Sequence, residues 1–267
     1  MSKQMGLIKL KGNIGGISFY KSGGEDLARV ANGPSKERIA NDATFARTRE
    51  NNVEFGGAAT AAKALRMGLV TVLQSKGDSR LPSRLTKVFK DIVNKGTGSR
   101  GQRNIPLSGN KTMLEGFDFN DRVSFSSIFN APYTIAPNAG RNQCVITVPN
   151  FLPKDLIKAP SGATYFRLVS GLGVVSDYTY NVVTGRYEPT DPTLNMLNVM
   201  AASAVTALNS AAAVTFTLTG VLPGTPAPTM TATTSVVQCL GIEFYQRVGT
   251  VDYLLSQDNC LKIVKVF

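Results

Sequence analysis

Residues 192–242 form a run of 51 without an Asp, Glu, Lys or Arg. A chain in water leaves so long a stretch uncharged where something covers it, because charge is depleted from cores and from the centres of interfaces. The charge lies at the other end. Residues 1–111 carry 20 Lys and Arg against 8 Asp and Glu, a net of +12, whereas residues 112–267 carry 9 against 10, a net of −1. A chain basic at one end and uncharged near the other has the polarity needed for head-to-tail contacts between copies.

With 267 residues the chain can build one or two domains with real cores. A hydrophobic share of 43% is that of a folded protein. It contains no His and no Trp. The missing His removes the side chain most used for proton transfer near neutral pH and the commonest ligand of catalytic zinc. Cys144, Cys239 and Cys260 are odd in number, widely spaced and outside any CxxC, so they read as buried thiols in a reducing compartment. Residues 1–11 lack the apolar stretch of a signal peptide. Residues 196–222 are long enough to span a membrane but are dominated by Ala, Thr, Ser and Asn, without a flanking basic cluster. Synthesis in the cytoplasm is expected, with no membrane contact and an assembled particle as the final location.

Residues 6–31 read as a β-hairpin turning at Gly23-Gly24. Helices follow Gly33-Pro34, with Ser35 and then Asp42 or Thr44 as caps. Phe55, Ala59, Ala62, Leu65, Leu69, Val72 and Leu73 recur at helical spacing and predict one buried face. Gly56-Gly57 inside that helix implies a close approach or a break. Pro82 opens a second helix with a Leu85, Val88, Phe89, Ile92 and Val93 stripe, and residues 94–104 read as a flexible basic linker. Beyond Ile105, short β-rich runs take over at 123–129, 143–148, 165–169, 174–183, 214–221, 236–247, 252–255 and 261–267. The uncharged run adds an Ala-rich helix at 194–213 and a Pro-rich loop at 223–228.

The expected fold class is α+β: an N-terminal β-hairpin plus helices (1–104), followed by an antiparallel immunoglobulin/fibronectin-like β-sandwich (105–267) with an uncharged insertion at 192–242. Residues 160–168, PSGATYFRL, are a weak local cue of the same kind. Residues 6–21 (GLIKLKGNIGGISFYK), 45–56 (FARTRENNVEFG) and 240–246 (LGIEFYQ) resemble a family of uncharacterised Bacteroidetes proteins. The resemblance touches both ends of the chain and implies that its two parts travel together. That family has no assigned activity, so it transfers no catalytic residues.

Few constellations carry chemistry. Gly12-Asn13-Ile14-Gly15 matches the GxxG loop of KH domains, but that loop joins helices, and a hairpin bend fits the strand pattern better. Asp118 and Asp121 are spaced to bind a hard cation, though a polar turn explains them equally well. No phosphate loop, nucleophile elbow or dinucleotide fingerprint occurs, and a Ser or Cys nucleophile would lack a His partner. No catalytic, cofactor-binding or metal residue is expected, and no cofactor.

The basic residues are the candidate contacts for phosphate or for an acidic partner: Arg47, Arg49, Arg80, Arg84, Lys87, Lys90, Arg100 and Arg103. Such a face neutralises phosphates in a salt-dependent way, or keeps a surface solvated. No aromatic residues interleave with these charges, which argues against stacking on single strands. The uncharged run is either an interface between copies or the chain's own core. The expectation is a non-enzymatic structural subunit of a homo-oligomeric assembly, such as a filament, shell or phage-like particle, with copies of itself as partners. The alternative is an architectural protein that binds nucleic acid through its basic part.

Overall fold

Two glycine pairs shape the N-terminus. Gly15 and Gly16 have φ of 55° and 77°, and Gly23 and Gly24 have 60° and 86°, the positive values that two-residue hairpin turns require. In the computed structural model, which describes residues 2–31, 33–255 and 258–267, these turns link three strands. With β1 (Ser2–Lys3), the strands β2 (Gly12–Ile14), β3 (Ile17–Ser22) and β4 (Glu25–Val30) form an antiparallel sheet in the order β1-β4-β3-β2. The GxxG run is thus a strand and its hairpin turn. Ser35 caps α1 (Lys36–Asn41), its hydroxyl accepting from the Arg38 amide at 3.1 Å, and Asp42 caps the following turn.

The chain divides into two compact units, residues 1–49 and 50–267, and the division falls inside α2 (Ala46–Met67). Residues 50–104 were expected with the basic N-terminal part. They fall instead in the second unit, because their apolar faces belong to its core.

That unit continues with α3 (Val70–Leu73), α4 (Leu81–Val93), α5 (Phe125–Ile128), β5 (Thr134–Pro137), β6 (Gln143–Phe151), α6 (Pro153–Leu156) and β7 (Tyr165–Ser176). There follow β8 (Tyr178–Asn181), β9 (Arg186–Pro189), β10 (Asn198–Ala202), β11 (Thr206–Ala207), β12 (Val214–Val221), β13 (Thr234–Val248), β14 (Val251–Leu254) and β15 (Cys260–Val266). The chain is therefore α+β, with helices and antiparallel sheets. Six strands make the main sheet, with β7 and β13 central; β10 and β11 pair β7 on one side, and β14 and β15 pair β13 on the other. A second sheet runs β12-β6-β5, and β8 and β9 form a separate hairpin.

β7 and β13 are buried almost throughout because both faces of the main sheet are covered. On one face Val169, Val237, Cys239 and Ile263 share a cluster with Leu65, Leu69, Leu85, Phe89 and Ile92 of the helices. On the other, Phe166, Leu168, Leu240, Ile242 and Phe244 meet Ile146, Val148, Phe216 and Leu218 of the second sheet. Gly171 and Gly173 let the helices come close: a Cβ on Gly171 would lie 2.4 Å from Val72, and one on Gly173 2.4 Å from the Gly68 carbonyl oxygen.

Four expectations are corrected. The Ala-rich stretch 194–213 is not a helix but supplies β10 and β11, because β7 has an open edge that they pair. Residues 123–129 are not a strand; they contain the short helix α5, with Asp118 accepting from the Phe125 amide at 3.0 Å and the Ser124 hydroxyl at 2.9 Å. Of the expected helix face, Ala62, Leu65, Leu69 and Val72 are buried, but Phe55 is exposed and Glu54, Gly57, Ala58 and Ala61 are buried instead. Residues 94–104 are a folded loop rather than a flexible linker, closed by the Asn104 amide donating to the Thr97 carbonyl and the Thr97 amide to Asn104 Oδ1, and pinned to α2.

Candidate functional site

The chemistry of the second unit gathers around two buried carboxylates. Glu54 lies on the buried side of α2, one turn before Gly57, and is 1% exposed. Arg103 donates to it from Nε at 2.7 Å and from Nη2 at 2.6 Å; Lys90 of α4 donates at 2.6 Å and the Gly101 amide at 2.8 Å. This fork of charge-assisted bonds, led by Arg103, holds the Glu54 carboxyl at about 2, far below its ordinary 4.5, despite burial. Tyr187 completes the knot, its hydroxyl donating to the Arg103 carbonyl at 2.8 Å while its ring fills the space that Gly57 leaves open.

Glu243 sits on β13 at 3% exposure. Lys76 approaches from the helical side with Nζ 2.5 Å from Oε1; it is 1% exposed at its side chain. Arg167 of β7 donates to Oε2 at 2.5 Å, and the Tyr245 hydroxyl donates to the same oxygen at 2.8 Å. Burial pushes the Glu243 carboxyl upward, but Lys76, Tyr245 and Arg167 outweigh it and keep it below its ordinary value. Burial, then the neighbouring carboxylate, pushes the Tyr245 phenol upward. Both carboxylates are therefore ionised and each is held by two basic side chains, joining helix to loop in one case and helix to sheet in the other.

Other reactive side chains are similarly occupied. Burial pushes the Cys144 thiol up to about 11 and Cys260 up to about 12, and Cys239 higher still, so all three stay protonated at neutral pH. Asp121 pairs with Arg80 at 3.6 Å while Asp118 caps α5, the arrangement of a polar turn. Among the described residues no group of three or more His, Cys, Asp or Glu is arranged to hold a metal ion.

Several of the eight basic residues are engaged by the protein's own groups. Arg49 donates to the carbonyls of Ile39 and Asp42 at 2.8 Å each. Arg84 pairs with Asp78 at 2.5 Å, donates to the carbonyls of Asp118 and Phe119, and stacks on Phe117. Lys90 and Arg103 are committed to Glu54. Arg47, Arg80, Lys87 and Arg100 are exposed, Arg100 lying 3.7 Å from Glu50. An open cleft of about 470 Å³ runs beside Arg80, between Gly77–Arg80 and Asn120–Arg122, with Asp78 and Asp121 among its walls.

Glu54, Lys76 and Glu243 escaped the sequence reading. The available signal was a lone Glu in the apolar run Leu240–Tyr245, since a carboxylate inside a buried strand demands a buried cation. No protein family, curated protein or solved structure matches the chain. Among the described residues no helix is long and apolar enough to cross a membrane.

Proposed function

We propose that the chain is a non-enzymatic structural subunit of a homo-oligomeric assembly: a filament, shell or phage-like particle. The observation that carries this reading is the state of residues 2–49. They build a four-stranded sheet and a helix, yet none of the described residues among them is buried. Met5, Leu7 and Ile8 are 87%, 103% and 81% exposed. A small sheet without a core gains stability from cover, and contiguous exposed apolar side chains mark contact sites. On this reading the first unit is an arm that docks on a neighbouring copy. The two facing sheets are the structural module, in the manner of the immunoglobulin- or fibronectin-like sandwich expected from sequence. The pairing of Glu54 and Glu243 with internal basic side chains fits a structural part better than a reactive centre.

The test is light scattering coupled to gel filtration of nuclease-treated protein at low and high salt. A large species that survives high salt is expected, since apolar contacts are salt-tolerant. A monomer at both salts sinks the reading. Binding to added nucleic acid that collapses as salt rises would transfer the role to Arg47, Arg80, Lys87 and Arg100 as phosphate contacts.

A further inference from the structure

The uncharged run splits between core and edge: its last part, from Thr234, is the buried start of the central strand β13. Its earlier part supplies β10 and β11, which line one edge of the main sheet, and β12, an edge of the second sheet. β10 and β12 lie close together: a Cβ on Gly220 would sit 3.4 Å from Val199 Cγ1. Neither strand contains a charged residue or a proline.

The opposite edges are guarded. β15 carries Lys262 and Lys265, and the backbone of residues 116–119 hydrogen-bonds along it. β14 carries Asp252, clamped by Arg247 at 2.6 Å and 2.8 Å. β5 has only four residues and ends at Pro137. Natural sheets blunt exposed edges with charge, proline, brevity or cover. β12 has eight residues and pairs only with β6 among the described residues; its one irregularity is a register shift between Val214 and Phe216.

Its sequence is also self-complementary. In Thr215-Phe216-Thr217-Leu218-Thr219 the threonines are exposed while Phe216 and Leu218 are buried. We propose that β12 pairs antiparallel with β12 of a second copy, about a two-fold axis at Thr217, so that two three-stranded sheets become one of six. That register sets Thr215 opposite Thr219 and Thr217 opposite itself on the outer face, and Phe216 opposite Leu218 on the core face. Cross-strand Thr pairs are favourable, and no like charges meet anywhere along the seam. The bare N–H and C=O groups of the edge find partners in the same step. The inference rests on the assembly reading and names one of its contacts, an isologous one that closes on itself. Growth beyond a dimer then falls to the N-terminal arm.

The test combines Thr217→Cys, Val221→Cys and Thr217→Lys in the full chain. Mild oxidation should link Thr217→Cys into a dimer on a non-reducing gel, because only a residue on the axis meets its own copy within disulfide reach; Val221→Cys should stay unlinked. Thr217→Lys sets two ammonium groups face to face and should reduce the particle mass in light scattering at least twofold. Unlinked Thr217→Cys, in a wild-type protein that still assembles, overturns the β12 pairing and leaves the assembly reading standing. Wild-type protein that is monomeric at both salts overturns both. Thr217 is exposed, and an unchanged unfolding midpoint for Thr217→Cys separates a lost contact from a lost fold.

Discussion

Residues 2–49 and residues 50–267 make the same kinds of element and treat them in opposite ways. In the second unit β7 and β13 are covered on both faces, and even two glutamates are drawn inside with their cations. In the first, four strands and a helix leave every described residue at least partly exposed. The difference teaches that secondary structure here is local, written in glycine turns and caps, whereas stability is collective and resides where layers stack. A Gly-Gly hairpin forms from its own turn chemistry; it does not thereby acquire a core.

The largest test of that contrast is Glu243→Ala. It strands Lys76 and leaves an uncompensated buried charge, so chemical denaturation should show a loss of about 3–5 kcal/mol. A loss below about 1 kcal/mol would mean that the centre is solvated and the contrast overdrawn. Acid titration probes the other centre. The Glu54 carboxyl is depressed from 4.5 to about 2, so its contribution is complete above about pH 4.5 and drains away as pH falls towards 2. Between those limits wild type should lose on the order of 2–3 kcal/mol more than Glu54→Gln, which has no proton to take up there.

Adjacent glycines give a finer cut. A Cβ on Gly57 would lie 2.4 Å from the Tyr187 ring, whereas one on Gly56 meets nothing within 4 Å. Gly57→Ala should therefore destabilise by about 1–3 kcal/mol. Gly56→Ala should stabilise by about 0.5–1 kcal/mol by favouring the helix. The smallest effect belongs to the first unit. Ile8→Ala should leave the unfolding free energy of the chain within about 0.5 kcal/mol of wild type while reducing the large species seen by light scattering. A strong loss of stability from that exposed residue would erase the distinction between the two regions.

What was legible in the sequence follows the same division. β12 at Val214–Val221, β13 around residues 236–247 and the stripe of α4 were visible because alternation, continuous apolar runs and helical spacing report burial directly. The stretch 194–213 misled because alanine favours helix in isolation, and only the open edge of β7 makes part of it a strand. The start of the α2 face was misplaced because size suggested Phe55 for the inside, while Glu54 enters the core with cations drawn from residues 90 and 103; its later members Ala62, Leu65 and Leu69 are buried as expected. The eight basic residues looked like a surface for the same reason: a sequence shows charges but not the counter-charges folded against them. Arg49, Arg84, Lys90 and Arg103 turn out to be bonded into the protein's own framework.

The pairing of β7 with β13 also sets a schedule. Tyr165 of one strand lies opposite Tyr245 of the other, and the helices that cover this pair end at Val93. During synthesis α2 and α4 therefore emerge with Leu65, Leu69, Phe89 and Ile92 ready to pack, and wait roughly 140 residues for β13 to arrive. At ribosomal speeds that is on the order of ten seconds of exposed apolar surface. A nascent chain of this protein is thus most vulnerable to chaperones, proteases and its own neighbours on the polysome just before its last strands are made.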